Sequence, residues 1–125
     1  MRRSEVIFLA GLFALVGVLL PSCYYDQENK LYPNGCNTTN VSYSKNILPL
    51  LDRYACSSCH DSQSQQGGVN LEGYDNMIFY VENGRLMGSI RHDPGYEPMP
   101  LGTARMNTCD ISKFQAWVDS GAPNN

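Results

Sequence analysis

The stretch Cys56-Ser57-Ser58-Cys59-His60 constrains this chain more than any other part of its sequence. It directly follows a segment whose apolar residues have helical spacing, so we expect the motif at the end of a helix. There, two cysteines three positions apart present both sulfur atoms on one side of the backbone turn, and an imidazole comes next. Whatever these three side chains hold determines how the rest of the chain can fold.

Four chemistries use such a set of side chains. The spacing Cys-x-x-Cys-His is typical of c-type haem attachment, in which two thiols bond the porphyrin and the histidine binds its iron. Zinc held by Cys56, Cys59, His60 and His92 is a second possibility, although the usual second pair of cysteines is missing. A thioredoxin-like dithiol needs a βαβ pattern that the sequence lacks. A disulfide between Cys56 and Cys59 would close a strained ring, so the motif favours haem.

The N-terminus has the pattern of an export signal. Arg2 and Arg3 precede residues 6–20, which form an unbroken apolar run without charge. As a helix this run rises about 22 Å, short of the roughly 30 Å hydrocarbon core of a bilayer. We therefore interpret residues 1–22 as a signal peptide rather than as a permanent membrane span.

The apolar run ends in Leu-Leu-Pro-Ser-Cys, residues 19–23, which resembles the lipobox of bacterial lipoproteins. In such signals the peptide is cut before the cysteine, which is then acylated. The resemblance implies a lipid on Cys23 and a tether over residues 23–43. It also implies a place in the bacterial cell envelope, periplasmic or on the outer-membrane face. An ordinary signal peptide with an incidental cysteine is the alternative.

The remaining cysteines have a natural pairing. Outside the cytosol, thiols are usually paired or otherwise committed. With Cys23 assigned to lipid, and Cys56 and Cys59 to the motif, Cys36 and Cys109 are left over from the five cysteines. If they pair, the disulfide closes a loop of about 70 residues and contributes roughly 4 kcal/mol by chain entropy. Two buried free thiols are the alternative.

The fold class predicted for residues 44–125 is all-α, with three or four short helices and long loops. The apolar spacing predicts helices over residues 44–55, 74–84, 85–90 and 108–121. We expect Ser44 to cap the first helix and Asn107 or Thr108 to cap the last. Because Pro49 lacks a backbone donor, either the first helix starts closer to Pro49 or its first turn is kinked. Residues 91–102 carry three prolines and two glycines, which predicts a loop.

Such short apolar faces make a poor core for a domain of this size, so we expect a haem to fill its centre. The formal net charge of −3 gives no electrostatic reason to bind nucleic acid.

Met99 is the candidate for the second axial ligand of the iron. It lies in the predicted loop between Pro98 and Pro100, which stiffen the chain around its sulfur. A thioether is a soft, neutral ligand for haem iron and raises the reduction potential. His92, in the same loop region, is the rival ligand and would lower the potential; a contact with a haem propionate is its other interpretation.

These pieces together resemble class I c-type cytochromes. The matching segments are residues 46–60, 67–77, 84–92, 97–100 and 109–125, so the resemblance covers nearly all of residues 44–125. The chain is particularly similar to the short single-haem lipoprotein cytochromes of Bacteroidetes-type bacteria. The resemblance implies one covalent haem c on Cys56 and Cys59, with His60 as proximal and Met99 as distal ligand. It also implies a last helix that crosses the first.

The function implied is that of an electron carrier, which is not an enzyme in itself. It would exchange single electrons with redox partner proteins outside the cytoplasm, and its lipid would hold it to a membrane. Two alternatives stay open. One is a haem-free exported lipoprotein that binds another protein, with Cys56 and Cys59 oxidised. The other is a haem protein with an open iron site for peroxide or a gas.

Other side chains have weaker claims on the site. Arg91 is a candidate partner for a propionate, and aromatic residues are candidates to line the porphyrin: Tyr74, Tyr96 and Trp117. The other methionines within residues 44–125 are assigned to core packing: Met77, Met87 and Met106.

Overall fold

The structure is a computed structural model that describes residues 35–125. The predicted signal peptide, the predicted lipidation at Cys23 and the predicted tether up to residue 34 lie outside the described residues. Within the described part the chain is all-α, with four α-helices and no strand, as the sequence predicts.

The helices are short and follow one another along the chain. A π-helical turn, Tyr43–Ile47, leads into α1, Leu48–Arg53. Two 3₁₀ turns follow, Cys56–Ser58 and Gln66–Gly68. Helix α2 spans Tyr74–Glu82, α3 spans Arg85–Arg91 and α4 spans Thr108–Asp119.

Pro49 divides the first predicted helix into two parts. The α-helix proper begins at Leu48, so Pro49 lies in its first turn, where a missing N–H costs nothing. The preceding residues form the π-helical turn instead. The expectation that Ser44 caps this segment is wrong, because the hydroxyl of Ser42 accepts from the backbone N–H of Lys45 at 3.4 Å.

Helix α4 packs against the π-helical turn Tyr43–Ile47 and against α3. Trp117, fully buried on α4, stacks on Tyr43 with ring centroids 5.6 Å apart. The last residue, Asn125, accepts the backbone N–H of Tyr43 with its side chain and that of Ser44 with its main chain, each at 2.9 Å. The final helix and the first helical segment therefore form one packed unit.

A disulfide between Cys36 and Cys109 attaches the segment before the first helical turn to the start of α4. Their Cα atoms lie 5.5 Å apart across a sequence separation of 73. The disulfide holds residue 36 against the first turn of the helix that closes the fold.

No helix within residues 35–125 is both long and apolar enough to cross a bilayer. The longest, α4, has 12 residues.

Candidate functional site

A cavity of about 570 Å³ brings together the residues that the sequence singles out. Cys56, Cys59, His60 and Met99 all line it. Its volume falls in the range of roughly 300–1,000 Å³ that is usual for small-molecule and cofactor sites. The three motif residues and a methionine from a loop distant in sequence thus line the same cavity.

The wall of this cavity is mostly apolar and continues the core of the domain. Several of its residues are also among the buried residues of the hydrophobic cluster: Leu51, Leu71, Leu86, Ile90, Met106 and Phe114. Exposed residues form its solvent side: Ala55, Ser58, Gln66, Gly67 and Leu101. The cavity therefore has a mostly apolar interior and an edge that reaches the surface.

The motif takes its position from the way in which α1 ends. Ala55 adopts the left-handed conformation, with φ of 52°, which turns the chain out of α1 and into the 3₁₀ turn Cys56–Ser58. The N–H of His60 donates to the carbonyl of Cys56 at 3.0 Å, so the motif closes into one helical turn. Both cysteines and the histidine consequently line the same cavity.

The loop after the motif folds back and fixes it from the other side. The N–H of Gln66 donates to the carbonyl of Cys59 at 2.8 Å, and the N–H of Leu71 donates to the carbonyl of His60 at 2.7 Å. Both carbonyl groups are thereby satisfied, and the backbone that carries the sulfur atoms and the imidazole is held in place.

Both motif cysteines are free thiols among the described residues, and both are half-buried. Burial raises the pKa of the Cys56 thiol to about 11; its own backbone hydrogen bond opposes this rise, and Asp52 and Cys59 add to it. Cys56 is therefore a neutral thiol at neutral pH in the metal-free chain.

His60 lines the cavity and also carries a buried polar atom without a partner. Its Nδ1 atom is buried and has no hydrogen-bond partner within residues 35–125. The backbone carbonyl that usually accepts from the second ring nitrogen of a metal-bound histidine is thus not found in the described part. A buried polar atom without a partner costs about 1–3 kcal/mol, and imidazole nitrogen atoms of either position are common metal ligands.

The zinc alternative gains no support from the geometry. Nowhere in residues 35–125 do three or more side chains of histidine, cysteine, aspartate or glutamate assemble as a metal site. The donor groups along the cavity wall are instead two thiols, one imidazole, the thioethers of Met99 and Met106, and the carboxylate of Glu97. Sulfur and imidazole ligands of this kind suit haem attachment and ligation.

Met99 reaches the cavity because its loop is anchored on α3. Its N–H donates to the carbonyl of Ser89, in the last turn of α3, at 3.0 Å. The side chain is half-buried. A second methionine, Met106, also lines the cavity but is buried in the core, in agreement with its assignment to packing.

His92 does not line the cavity, unlike Met99. Its Nε2 atom lies 3.0 Å from the backbone carbonyl oxygen of Met99. The structure therefore places the predicted rival ligand behind the loop, in contact with the main chain of the other candidate.

The aromatic residues named from the sequence lie elsewhere. Trp117 donates from Nε1 to the carbonyl of Pro123 at 2.9 Å, and Tyr74 donates to the carbonyl of Ala122 at 2.7 Å. Tyr96 lies against Gly88 of α3. The aromatic side chains that do line the cavity are Tyr54, Tyr80 and Phe114.

The arginine at the cavity is Arg85 rather than Arg91. Arg85 lines the wall and lies over the ring of Tyr80, 5.4 Å from its centroid. Arg91 does not line the cavity, and its nearest carboxylate is that of Asp93, at 4.0 Å. A guanidinium for an anionic group in the cavity is therefore supplied from the first turn of α3.

Sequence reasoning missed a buried acidic residue behind the cavity. Asp110 is fully buried and accepts hydrogen bonds at Oδ2 from Tyr54, Arg53 and the side chain of Asn107, at 2.9, 3.1 and 2.9 Å. Lys113 lies 3.6 Å from its other oxygen. The signal in the sequence is an acid three residues after a helix cap, on the apolar side of α4.

Comparisons of the chain with protein-family models, with curated protein sequences and with solved structures find no match.

Proposed function

We propose that this chain is a membrane-anchored, single-haem c-type cytochrome that carries single electrons between redox partners outside the cytoplasm. The observation that supports this most strongly is the convergence of Cys56, Cys59, His60 and Met99 on one apolar cavity. The helices before and after the motif, and a loop far along the chain, all contribute to that cavity. Such convergence is what haem attachment and two-sided ligation require.

The residues present fit the group. Cys56 and Cys59 would form the two thioether bonds, His60 would be the proximal ligand and Met99 the distal one. His60 lines the cavity, and no hydrogen bond among the described residues occupies its Nδ1 atom. When bound, the haem iron supplies a one-electron couple between its ferrous and ferric forms.

The chain's own residues perform the remaining tasks. The apolar wall excludes water, which keeps the local dielectric constant low and makes reorganisation on electron transfer small. Arg85 offers a guanidinium to a propionate carboxylate, a pairing that its planar geometry favours. With both axial positions taken by protein side chains, no substrate needs to bind the iron, so the proposal is a carrier and not an enzyme.

The predicted lipid on Cys23 would tether this domain to a membrane surface, in the cell envelope of a bacterium. Acyl chains contribute about 0.8 kcal/mol for each buried methylene, so two or three chains hold a protein firmly. Mass spectrometry of the mature N-terminus tests this part separately: we expect an acylated Cys23, and an unmodified cut elsewhere would contradict the tether.

The test of the haem proposal is a pyridine haemochrome spectrum of chain that has been exported together with c-type assembly machinery. We expect the spectrum of a haem with two thioether bonds, and reversible reduction and oxidation of the bound iron. The variants Cys56→Ser and Cys59→Ser should each change or abolish that spectrum. The double variant Cys36→Ser/Cys109→Ser is the matched control and should keep it.

A spectrum without any c-type haem, from chain that is folded and exported, would contradict the proposal. If the Cys36→Ser/Cys109→Ser control lost the haem while Cys56→Ser and Cys59→Ser both kept it, the motif would not be the attachment site.

A further inference from the structure

We propose that His92 is a positioning residue that holds Met99 at the iron by a hydrogen bond to its main chain. The inference rests on the proposed function, because it concerns the distal ligand of that site. It replaces the earlier alternative that His92 is itself a ligand. Two independent observations support it: the contact between the two residues and the backbone conformation of His92.

The contact is directional. The Nε2 atom of His92 lies 3.0 Å from the carbonyl oxygen of Met99. A carbonyl oxygen only accepts, so Nε2 must carry the proton and donate. His92 itself is half-buried, which shields this bond from competing water.

The backbone shows that His92 occupies a position where glycine is the usual choice. Helix α3 ends with two hydrogen bonds, from the N–H of Asp93 to Gly88 and from the N–H of His92 to Ser89, at 2.9 and 3.2 Å. This is the Schellman arrangement, whose left-handed residue is commonly glycine. His92 has φ of 62° and ψ of 41° there, a conformation that disfavours a side chain.

A non-glycine residue in a strained conformation next to a functional site points to a role for its side chain. Here the left-handed turn directs the imidazole towards the returning loop, where its donor meets Met99. The carbonyl of Ser89 holds the N–H of Met99 at the same time, at 3.0 Å. The end of α3 thus holds both main-chain polar groups of Met99, a residue that lines the cavity.

The decisive variant is His92→Gly. It removes the imidazole but suits the left-handed backbone, so the helix end and the fold should be kept and global stability should not fall. We expect the loop to loosen, so that about tenfold more of the ferrous protein is open to carbon monoxide than in the original chain. The reduction potential should fall, since the methionine bond is weakened.

A readout that does not involve the iron is hydrogen exchange of the backbone. In His92→Gly the amide of Met99 should exchange roughly tenfold faster, whereas the amide of Asp93, bonded within the helix end, should be unchanged. Asn40→Gly is the matched control, because Asn40 is also left-handed, with φ of 52°, but lies on an exposed surface before the first helical turn. It should leave both amides and the iron ligands as they are.

Rescue identifies the donor. A glutamine places an amide N–H at the same number of bonds from Cβ as Nε2 of histidine, so His92→Gln should restore most of the ligation that His92→Gly loses. Unchanged ligation in His92→Gly, or equal loss in the Gly and Gln variants, would overturn the inference. If instead Met99→Ala leaves the spectrum of the original chain unaltered, the proposed distal ligand has failed, and not the role of His92 alone.

Discussion

The hydroxyl of Tyr54 donates to Oδ2 of Asp110 at 2.9 Å, so a side chain of the cavity wall is bonded to a fully buried carboxylate. Tyr54 ends α1, next to the motif, and Asp110 lies in the first turn of α4. The N–H of Asn107 in turn donates to the Tyr54 hydroxyl at 3.2 Å. This network joins the start of the last helix to the helix that positions the motif.

The variant Asp110→Ala should lower the free energy of unfolding by about 3 kcal/mol, because it removes the acceptor of the hydrogen bonds from Tyr54 and Asn107 and the buried ion-pair partner of Arg53. Denaturant unfolding of the exported chain measures this. Asp119→Ala, an exposed acid on the same helix, is the control and should change stability by less than about 0.5 kcal/mol. Equal costs for the two variants would show that the network does not stabilise the fold.

If the chain carries the proposed haem, the variant Met99→Ala should open one axial position of its iron and lower its reduction potential, because a thioether ligand raises the potential and alanine cannot ligate. Carbon monoxide binding to the ferrous protein and a redox titration measure both effects. Met106→Leu and Met77→Leu are controls, one in the cavity wall and one in the core away from it. If Met106→Leu opens the iron and Met99→Ala does not, the ligand has been assigned to the wrong methionine.

Gly88 tests how closely the loop packs on α3. In a helix, glycine to alanine ordinarily stabilises by about 0.5–1 kcal/mol. A Cβ at Gly88 would overlap the base of the Tyr96 ring, so here we expect Gly88→Ala to cost about 1–3 kcal/mol instead. Adding Tyr96→Ala should reverse the sign of the alanine effect, as measured by a double-mutant cycle. Additive costs would mean that the ring does not pack there.

The buried hydroxyl of Tyr43 should make the free energy of unfolding depend on pH in the alkaline range. Burial raises its pKa above the ordinary value of 10.0, and the charges of Tyr74 and Asp75 raise it further. Below pH 10 the hydroxyl is protonated in both the folded and the unfolded chain. Above it the unfolded chain ionises first, so the free energy of unfolding should fall as the pH rises. In the variant Tyr43→Phe, the decrease in the free energy of unfolding that comes from ionisation of Tyr43 should be absent.

At neutral pH the same variant serves as its own control. The Tyr43 hydroxyl is buried without a hydrogen-bond partner among the described residues, so Tyr43→Phe should be neutral or slightly stabilising there. Parallel loss of stability above pH 10 in both chains would show that the raised pKa of Tyr43 has no part in it.

Local patterns in the sequence predict the helices well, because apolar spacing and capping residues act over a few positions. Helix α2 begins at Tyr74 and α3 at Arg85, as the pattern indicates, and Asn107 caps α4. The π-helical turn before Pro49 was not predictable in the same way. Whether a proline kinks a helix or begins one depends on the packing of the segment that precedes it.

The wall of the cavity was harder to predict than the helices. Helical spacing predicts that Phe114 and Trp117 both lie on the buried side of α4. It does not predict which of them lines the cavity and which packs elsewhere in the core. Phe114 faces the cavity and Trp117 packs on Tyr43. The same limit explains why Arg85, rather than Arg91, lines the site: the two lie at opposite ends of one short helix, whose placement depends on tertiary contacts.

The most direct measurement of the central claim is the intact mass of the exported chain after acid denaturation, a treatment that releases any haem that is not covalently bound. The account predicts a mass increased by one haem, with the haem located on a peptide that contains Cys56 and Cys59. A folded chain with the mass of the unmodified polypeptide, carrying two free thiols or a disulfide at these positions, would contradict it.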